Sequence, residues 1–302
     1  MTREQIVPPA DAPGTPGARL RARIAQRNAL LVPGCGNALT ARVAQDLGYE
    51  AVYVTGAGVT NMYLGLPDLS FVSLTQLVEH VAAISDVTSV PVIVDADTGF
   101  GNAVNAGHAV RALERAGATC IQIEDQVFPK RCGHFDGKEV VPTAEFVTKI
   151  AAAVDARRSA DTLIMARTDA IACTGFDDAL DRAHRALEAG ADCLFIEGPR
   201  NAEEIRAIPQ RAGAPVLLNL VYGGNTPILG QPELAEMGYA MVLYANAALQ
   251  AALTGMQRVM GHVLRTGSID GVLDDIATFD ERQRIVGKPH YDALERRYAV
   301  DE

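Results

Sequence analysis

Short, almost uniformly apolar runs recur along the chain, separated by stretches in which apolar residues return every three or four positions. The runs are 29–32, 51–55, 91–96, 120–124, 162–166, 193–197, 215–220 and 240–244. Runs this short, with no polar alternation, predict parallel strands covered on both faces. Between them lie amphipathic patterns. In residues 177–188, Ala179, Leu180, Ala183 and Leu187 share one face, while Asp178, Asp181, Arg182 and Arg185 fall off it, which predicts a surface helix. A helix-to-strand junction also repeats: Ala116-Gly117-Ala118 leads into Cys120, and Ala189-Gly190-Ala191 into Cys193. Glycine closes a helix in the left-handed conformation and turns the chain into the next strand. Strands alternating in this way with helices predict an α/β fold, a (β/α)8 TIM barrel. A doubly wound sheet is the alternative, but its fingerprint is missing: Gly34-Cys35-Gly36 is followed by Leu39 where a third glycine belongs. A long helical stretch over 247–264 and a charged tail exceed what a barrel needs. The expected organisation is a flexible leader over 1–18, a catalytic barrel over 19–255 and a helical extension over 256–302 that packs on a neighbouring subunit.

Composition narrows the function classes. Hydrophobic residues make up 48% of the 302 positions, enough for a large core and against a disordered chain. The formal net charge of −10 argues against a nucleic-acid partner. No apolar run reaches the roughly 18 residues of a membrane helix. The first residues carry Pro8, Pro9, Pro13 and Pro16 without the apolar core of a signal peptide, which points to a cytoplasmic protein. Cys35, Cys120, Cys132, Cys173 and Cys193 show no Cys-x-x-Cys spacing, so reduced thiols are expected rather than disulfides or zinc.

In a barrel, chemistry sits at the carboxyl ends of the strands. Those ends read Thr55-Gly56-Ala57, Asp95-Ala96-Asp97, Glu124-Asp125-Gln126, Arg167-Thr168-Asp169, Glu197 and Asn219. Asp95, Asp97 and Glu124 would repel one another unless a cation sits among them, and carboxylates with water suit Mg2+ or Mn2+ rather than zinc. The other possibility is that they cap helices or form salt bridges. Arg167 could grip a substrate carboxylate or phosphate with both arms of its guanidinium, or pair structurally with Asp169 or Glu197. The segment 126–142 is long for a loop between strand and helix. It concentrates Lys130, Arg131, Cys132 and His134, and holds two of the four lysines of the chain, Lys130 and Lys138. A thiol beside such cations should ionise readily and could act as a general acid or nucleophile, under a lid that excludes water. None of the four lysines falls in a predicted strand, which disfavours a Schiff-base aldolase. Cys120 and Cys193 read as small core residues, and His108 and His184 as non-catalytic.

With these residues in view, the sequence resembles the isocitrate lyase/phosphoenolpyruvate mutase superfamily. The matching motifs are Tyr53-Val54-Thr55-Gly56, Gly65-Leu66-Pro67-Asp68, Val94-Asp95-Ala96-Asp97-Thr98-Gly99, Ile123-Glu124-Asp125-Gln126, Lys130-Arg131-Cys132-Gly133-His134, Ala166-Arg167-Thr168-Asp169 and Phe195-Ile196-Glu197. The resemblance implies a barrel that assembles as a homotetramer with an exchanged C-terminal helix. It implies Mg2+ near Asp68, Asp95, Asp97 and Glu124, and a substrate site of Thr55, Gly56, Ala57, Arg167, Glu197 and Asn219. The Lys-Arg-Cys-Gly-His run looks like that of the lyases of the superfamily. Its continuation, Phe135-Asp136-Gly137-Lys138, looks more like the dimethylmalate lyase branch than the methylisocitrate lyases. Members that cleave oxaloacetate place Ser or Thr after the eighth strand, where Ala247 is expected here.

The implied reaction is Mg2+-dependent cleavage of a 2-hydroxy di- or tricarboxylate, of the 2,3-dimethylmalate or 2-methylisocitrate type, to pyruvate and a second carboxylate. Cys132 would be the general acid, Lys130, Arg131 and His134 would stabilise charge, and Tyr53 is the first candidate for the base. The alternatives are an oxaloacetate decarboxylase or a phosphonomutase of the same superfamily, or a protein that binds a dicarboxylate without consuming it.

Overall fold

A computed structural model describes residues 14–130, 137–224 and 226–300. Its strands are β1 (Leu30–Cys35), β2 (Val52–Val54), β3 (Val92–Asp95), β4 (Cys120–Glu124), β5 (Leu163–Thr168), β6 (Cys193–Ile196), β7 (Val216–Asn219) and β8 (Met241–Tyr244). They close in sequence order into a barrel, with β8 returning to β1 and every neighbouring pair parallel. Each predicted run holds one strand, with ends displaced by up to three residues, and the doubly wound alternative is excluded.

The alternation of side chains along a strand divides the core in two. Outward residues such as Val54, Val94, Ile121, Ile123, Ile164 and Val242 pack against the helices. Inward residues such as Val32, Tyr53, Ile93, Cys120, Met165, Phe195, Leu217 and Leu243 fill the barrel. Followed toward the carboxyl end, the inward columns turn polar. Ile93 is succeeded by Asp95, Cys120 by Gln122 and Glu124, Met165 by Arg167 and Asp169, Phe195 by Glu197, and Leu217 by Asn219. Steps of two residues therefore bring the chemistry of five strands to one mouth. The register agrees, pairing Asp95 with Gln122 and Glu124 with Arg167.

The opposite end is plugged by helix Pro16–Ala25, whose Leu20 and Ile24 join the inner core. Arg19 and Arg21 bond to Ser89 O and Asp192, just ahead of β3 and β6, and Arg23 bonds to Glu50, just ahead of β2. Residues 16–18, expected as leader, are thus the first turn of a structural helix capped by Thr15, while 1–13 lie outside the described residues.

Two other expectations change. The boundary expected at 255 falls inside the unbroken helix Ala247–Thr266. Part of the extension returns to its own barrel, where Arg284 of helix Phe279–Ile285 grips both oxygens of Asp46 at 2.6 and 2.7 Å. Arg182, expected off the apolar face of helix Phe176–Glu188, is buried and paired with Asp125 at 3.3 Å. A buried guanidinium is tolerated because a buried carboxylate meets it.

Gly34 in β1 permits a close approach: a Cβ there would lie 1.9 Å from the carbonyl oxygen of Ala245, just past β8. Replacing Gly34 with Ala is expected to destabilise the barrel by at least about 1–3 kcal/mol through overpacking at the β1–β8 seam, read from urea denaturation midpoints.

Candidate active site at the carboxyl end of the barrel

Tyr53, Thr55, Ala57, Asp68, Asp95, Lys130, Arg167, Glu197 and Asn219 line one cavity at the polar mouth. Gly56 and Asp97 border it: a Cβ on Gly56 would meet Lys130 Nζ at 3.2 Å, Asp95 Oδ2 at 3.3 Å and Asp97 Oδ1 at 3.4 Å. Glu124 is wholly buried and bonded from Gln122 Nε2 at 3.4 Å. The structure therefore gathers the predicted carboxylates, the arginine and the loop lysine. Arg131, Cys132 and His134 lie outside the described residues.

Lys130 is 2% exposed, and its ammonium lies 2.7 Å from Asp68 Oδ2 and 3.1 Å from Asp97 Oδ1. Burial alone would lower its pKa, but Asp97, Asp95 and Asp68 outweigh this and hold it well above the ordinary lysine value. In this arrangement the lysine of the chain itself meets two of the carboxylates. Asp97 remains hard to ionise despite that neighbour: burial first, then Asp95 and Asp68, raise its pKa to about 7. Its backbone is also strained, with φ at 48°, at the start of a loop in which Phe100 has φ at 60°. Such conformations persist where the surroundings over-determine them, as at functional sites.

Arg167 is enclosed by acids. Its Nε lies 2.9 Å from Asp169 Oδ2 and 3.3 Å from Glu124 Oε2, and its Nη2 lies 3.6 Å from Glu197 Oε2. The structural pairing and the substrate role considered for it are compatible, since the same guanidinium lines the cavity. Asp169 also receives Lys138 at 2.7 Å. Burial would raise the Asp169 carboxyl, but Arg167 and Lys138 bring it down to about 2. Beneath it Asp125 accepts from Thr168 Oγ1 at 2.6 Å, from Asp169 N at 2.9 Å and from Arg182 at 3.3 Å. Lys138, Asp169, Asp125 and Arg182 were not assigned to the site from sequence. Asp125 and Asp169 stood among the strand ends, but nothing in their spacing distinguishes a residue that holds Arg167 from one that meets a ligand.

Tyr53 donates its phenolic proton to Gln122 Oε1, and Gln122 Nε2 donates to Asp95 Oδ1 at 3.0 Å. Burial, then Asp95, pushes the phenol well above its ordinary pKa. A phenol held in this way is a donor, and its surroundings disfavour the phenolate that a base would require. After β8 the cavity is met by Ala245 and Asn246, whereas Ala247, expected there, is exposed at the first position of the next helix.

Among the described residues no three His, Cys, Asp or Glu side chains are close enough to hold an ion by themselves. The donor chemistry nevertheless fits a hard divalent cation. Asp68, Asp95, Asp97 and Glu124 offer only oxygen, and Glu124 Oε1 is buried without a hydrogen-bond partner. Mg2+ commonly takes one or two carboxylates, keeps several waters, and completes its shell with substrate.

The family profile described as phosphoenolpyruvate phosphomutase matches residues 20–264. The chain is 42% identical over 283 residues to 2,3-dimethylmalate lyase of Eubacterium barkeri, covering 94% of this chain and 98% of that protein. The chain belongs to the phosphoenolpyruvate mutase/isocitrate lyase superfamily. Within this superfamily it is also 42% identical over 277 residues to 2-methylisocitrate lyase of Aeropyrum pernix, covering 92% of this chain and 89% of the relative. The crystal structure of a 2,3-dimethylmalate lyase superposes with a TM-score of 0.88 at 34% identity, covering 96% of this chain and 99% of that one. The crystal structure of a phosphonopyruvate hydrolase in complex with oxalate and Mg2+ superposes with a TM-score of 0.85 at 32% identity, covering 94% of this chain and 99% of that one.

Asp169→Asn removes one partner from a buried pair and is expected to cost about 3–5 kcal/mol at neutral pH. Because the folded carboxyl is lowered to about 2, the stability from its pairing is fully present above the unfolded value and is lost as pH falls toward 2. Urea denaturation of wild type and variant should therefore differ strongly at pH 7 and converge toward pH 2.

Proposed function

We propose that the chain is a carbon–carbon lyase that cleaves a 2-hydroxy di- or tricarboxylate of the 2,3-dimethylmalate or 2-methylisocitrate type, releasing pyruvate and a second carboxylate. The observation that carries this reading is convergence. Glu124 Oε1, Glu197 Oε1 and Asn246 Oδ1 are buried without hydrogen-bond partners, around the mouth that also holds Arg167 and the acid cluster. Buried polar atoms are seldom left unsatisfied, and several at one mouth await a polar ligand. The two curated relatives described above are lyases by name. Ala247, matched to the Ser or Thr of oxaloacetate-cleaving members, carries no hydroxyl, and neither do Ala245 and Asn246 at the cavity, which favours cleavage of such substrates over that of oxaloacetate.

In this reading Arg167 binds the carboxylate next to the reacting hydroxyl, and Thr55, Gly56 and Ala57 orient its other side. Asp68, Asp95, Asp97 and Glu124 would hold Mg2+, and Mn2+ could take its place on the same oxygen donors. When bound, the ion supplies electrophilic stabilisation of the substrate hydroxyl oxygen and carboxylate. The hydroxyl gives its proton to a neighbouring carboxylate of the acid cluster, the oxygen forms the carbonyl of pyruvate, and the C2–C3 bond breaks with its electron pair moving to C3 and the adjacent carboxylate. Cys132, two residues after the buried Lys130, gives C3 its proton, and Arg131 and His134 support the charge. Tyr53 serves as a donor that fixes Gln122 against Asp95, replacing the base role first considered for it.

Assembly and compartment belong to the same proposal. Helix Ala247–Thr266 has no buried residue and exposes Leu253, Met256, Met260 and Leu264, an apolar stripe suited to cover by a second copy in a homotetramer. The described cysteines are free, in keeping with a cytoplasmic enzyme, and no helix among the described residues is long and apolar enough to cross a membrane.

Pyruvate release coupled to lactate dehydrogenase tests the reading. Wild type with Mg2+ should release pyruvate from 2,3-dimethylmalate or 2-methylisocitrate, EDTA should abolish release, and excess Mg2+ should restore it. Cys132→Ser should lower kcat by about 10²–10⁴-fold. Release untouched by EDTA would contradict the metal assignment, and full turnover by Cys132→Ser the acid assignment.

A further inference from the structure

We infer that Lys149 is a positioning residue for Asp97: its buried ammonium holds the Thr98 carbonyl and so fixes the strained turn from which Asp97 reaches the cation site. This rests on the metal reading above. Lys149 lies on helix Thr143–Ala156, on the face that buries Phe146, Ile150 and Ala153. An apolar residue would be expected there. The position instead holds a lysine only 3% exposed, whose Nζ donates to Thr98 O at 3.4 Å. Glu145 Oε1 also lies 3.7 Å from Nζ, but on a side chain half in water. A pair of that kind is worth too little to carry an ammonium inside. A local rule broken beside a site is expected where the residue serves that site. Two other lysines with buried side chains serve the same mouth, Lys130 on Asp68 and Asp97, and Lys138 on Asp169.

The turn needs holding. Asp97 and Phe100 have φ of 48° and 60°, which residues with a Cβ rarely adopt, and Gly99 and Gly101 are also positive, at 85° and 147°. Such backbone persists only where its surroundings over-determine it. From one side, Glu124 N donates to the Asp97 carbonyl at 2.9 Å. From another, helix Ala103–Arg115 presses so closely that a Cβ on Gly99 would lie 2.8 Å from Ala106 Cβ. Lys149 takes the carbonyl between these two points. Its helix comes near because Gly107 lets the two helices close: a Cβ there would meet Ala152 O at 3.3 Å. Released at Thr98, the turn can relax toward ordinary backbone and carry the Asp97 carboxylate away from Asp95 and Asp68. The buried ammonium thus acts on the cation through the backbone, without touching it.

Lys149→Met keeps an apolar stem on the helix face and removes the donor. Hydrogen exchange of the metal-free protein reads the turn directly. Exchange should quicken in peptides covering 96–102 and stay as in wild type in peptides covering β5 and β6. Calorimetry should show Mg2+ binding weakened by about 10–100-fold in Lys149→Met and partly recovered in Lys149→Arg, whose guanidinium keeps a donor for the same carbonyl. Unchanged exchange in 96–102, or unchanged Mg2+ affinity, in Lys149→Met would overturn the inference. Failure of Lys149→Met to fold, or faster exchange spread over the whole chain, would mark a structural lysine and overturn it as well. So would a weakened affinity that Lys149→Arg leaves unimproved. If wild type binds no Mg2+, the metal reading fails, and exchange in 96–102 alone decides whether Lys149 holds Asp97.

Discussion

Carboxylates drawn out of water into the mouth of a barrel must be met by positive charge, and the site is organised around that requirement. Asp68 and Asp97 are met by Lys130, and Glu124, Asp169 and Glu197 by Arg167. Removing either cation would leave several buried anions uncompensated, which is far more costly than a lost surface pair. The balance is also incomplete. Asp97 is raised to about 7, and Glu124 is pushed well above its ordinary value by burial in spite of Arg167. A mouth short of positive charge is prepared to accept more, which suits a divalent ion arriving with an anionic substrate.

The scaffold supplies this arrangement at little conformational cost, because a strand advances its inward side chains in steps of two. Tyr53, Gln122 and Asp95 form a continuous line of donors and acceptors across three strands. The layer beneath, including Ile93, Cys120, Met165 and Phe195, is closed and apolar. Rigid placement of acids and guanidinium on strands, with less regular segments above them, gives fixed electrostatics beneath an adaptable rim.

Much of this was legible in the chain. Uniformly apolar runs identified all eight strands because each is covered on both sides, and the polar residues ending those runs identified the mouth. Asp95 and Asp97 were readable as a pair of acids at a strand end, although β3 stops at Asp95 and Asp97 reaches the mouth from a left-handed backbone just past it. Pairing was not readable. Lys130 was expected to stabilise charge and tune a thiol, and its contacts with Asp68 and Asp97 come from a loop whose path no periodicity dictates. Arg182 was placed on a solvated face by its spacing, yet Asp125 draws it inside. After β8 the cavity is lined by Ala245 and Asn246, with Ala247 exposed at the next position. Tyr53 was the first candidate for the base, and its burial and its hydrogen bond to Gln122 could not be read from the sequence.

We propose that the acid cluster at the mouth binds one divalent cation. Isothermal titration of Mg2+ into the metal-free protein, beside Asp95→Asn and Glu124→Gln, tests it most directly. One ion should bind per chain in wild type, with the heat of binding lost or severely weakened in both variants. No binding in wild type, or binding that survives both substitutions, would contradict it.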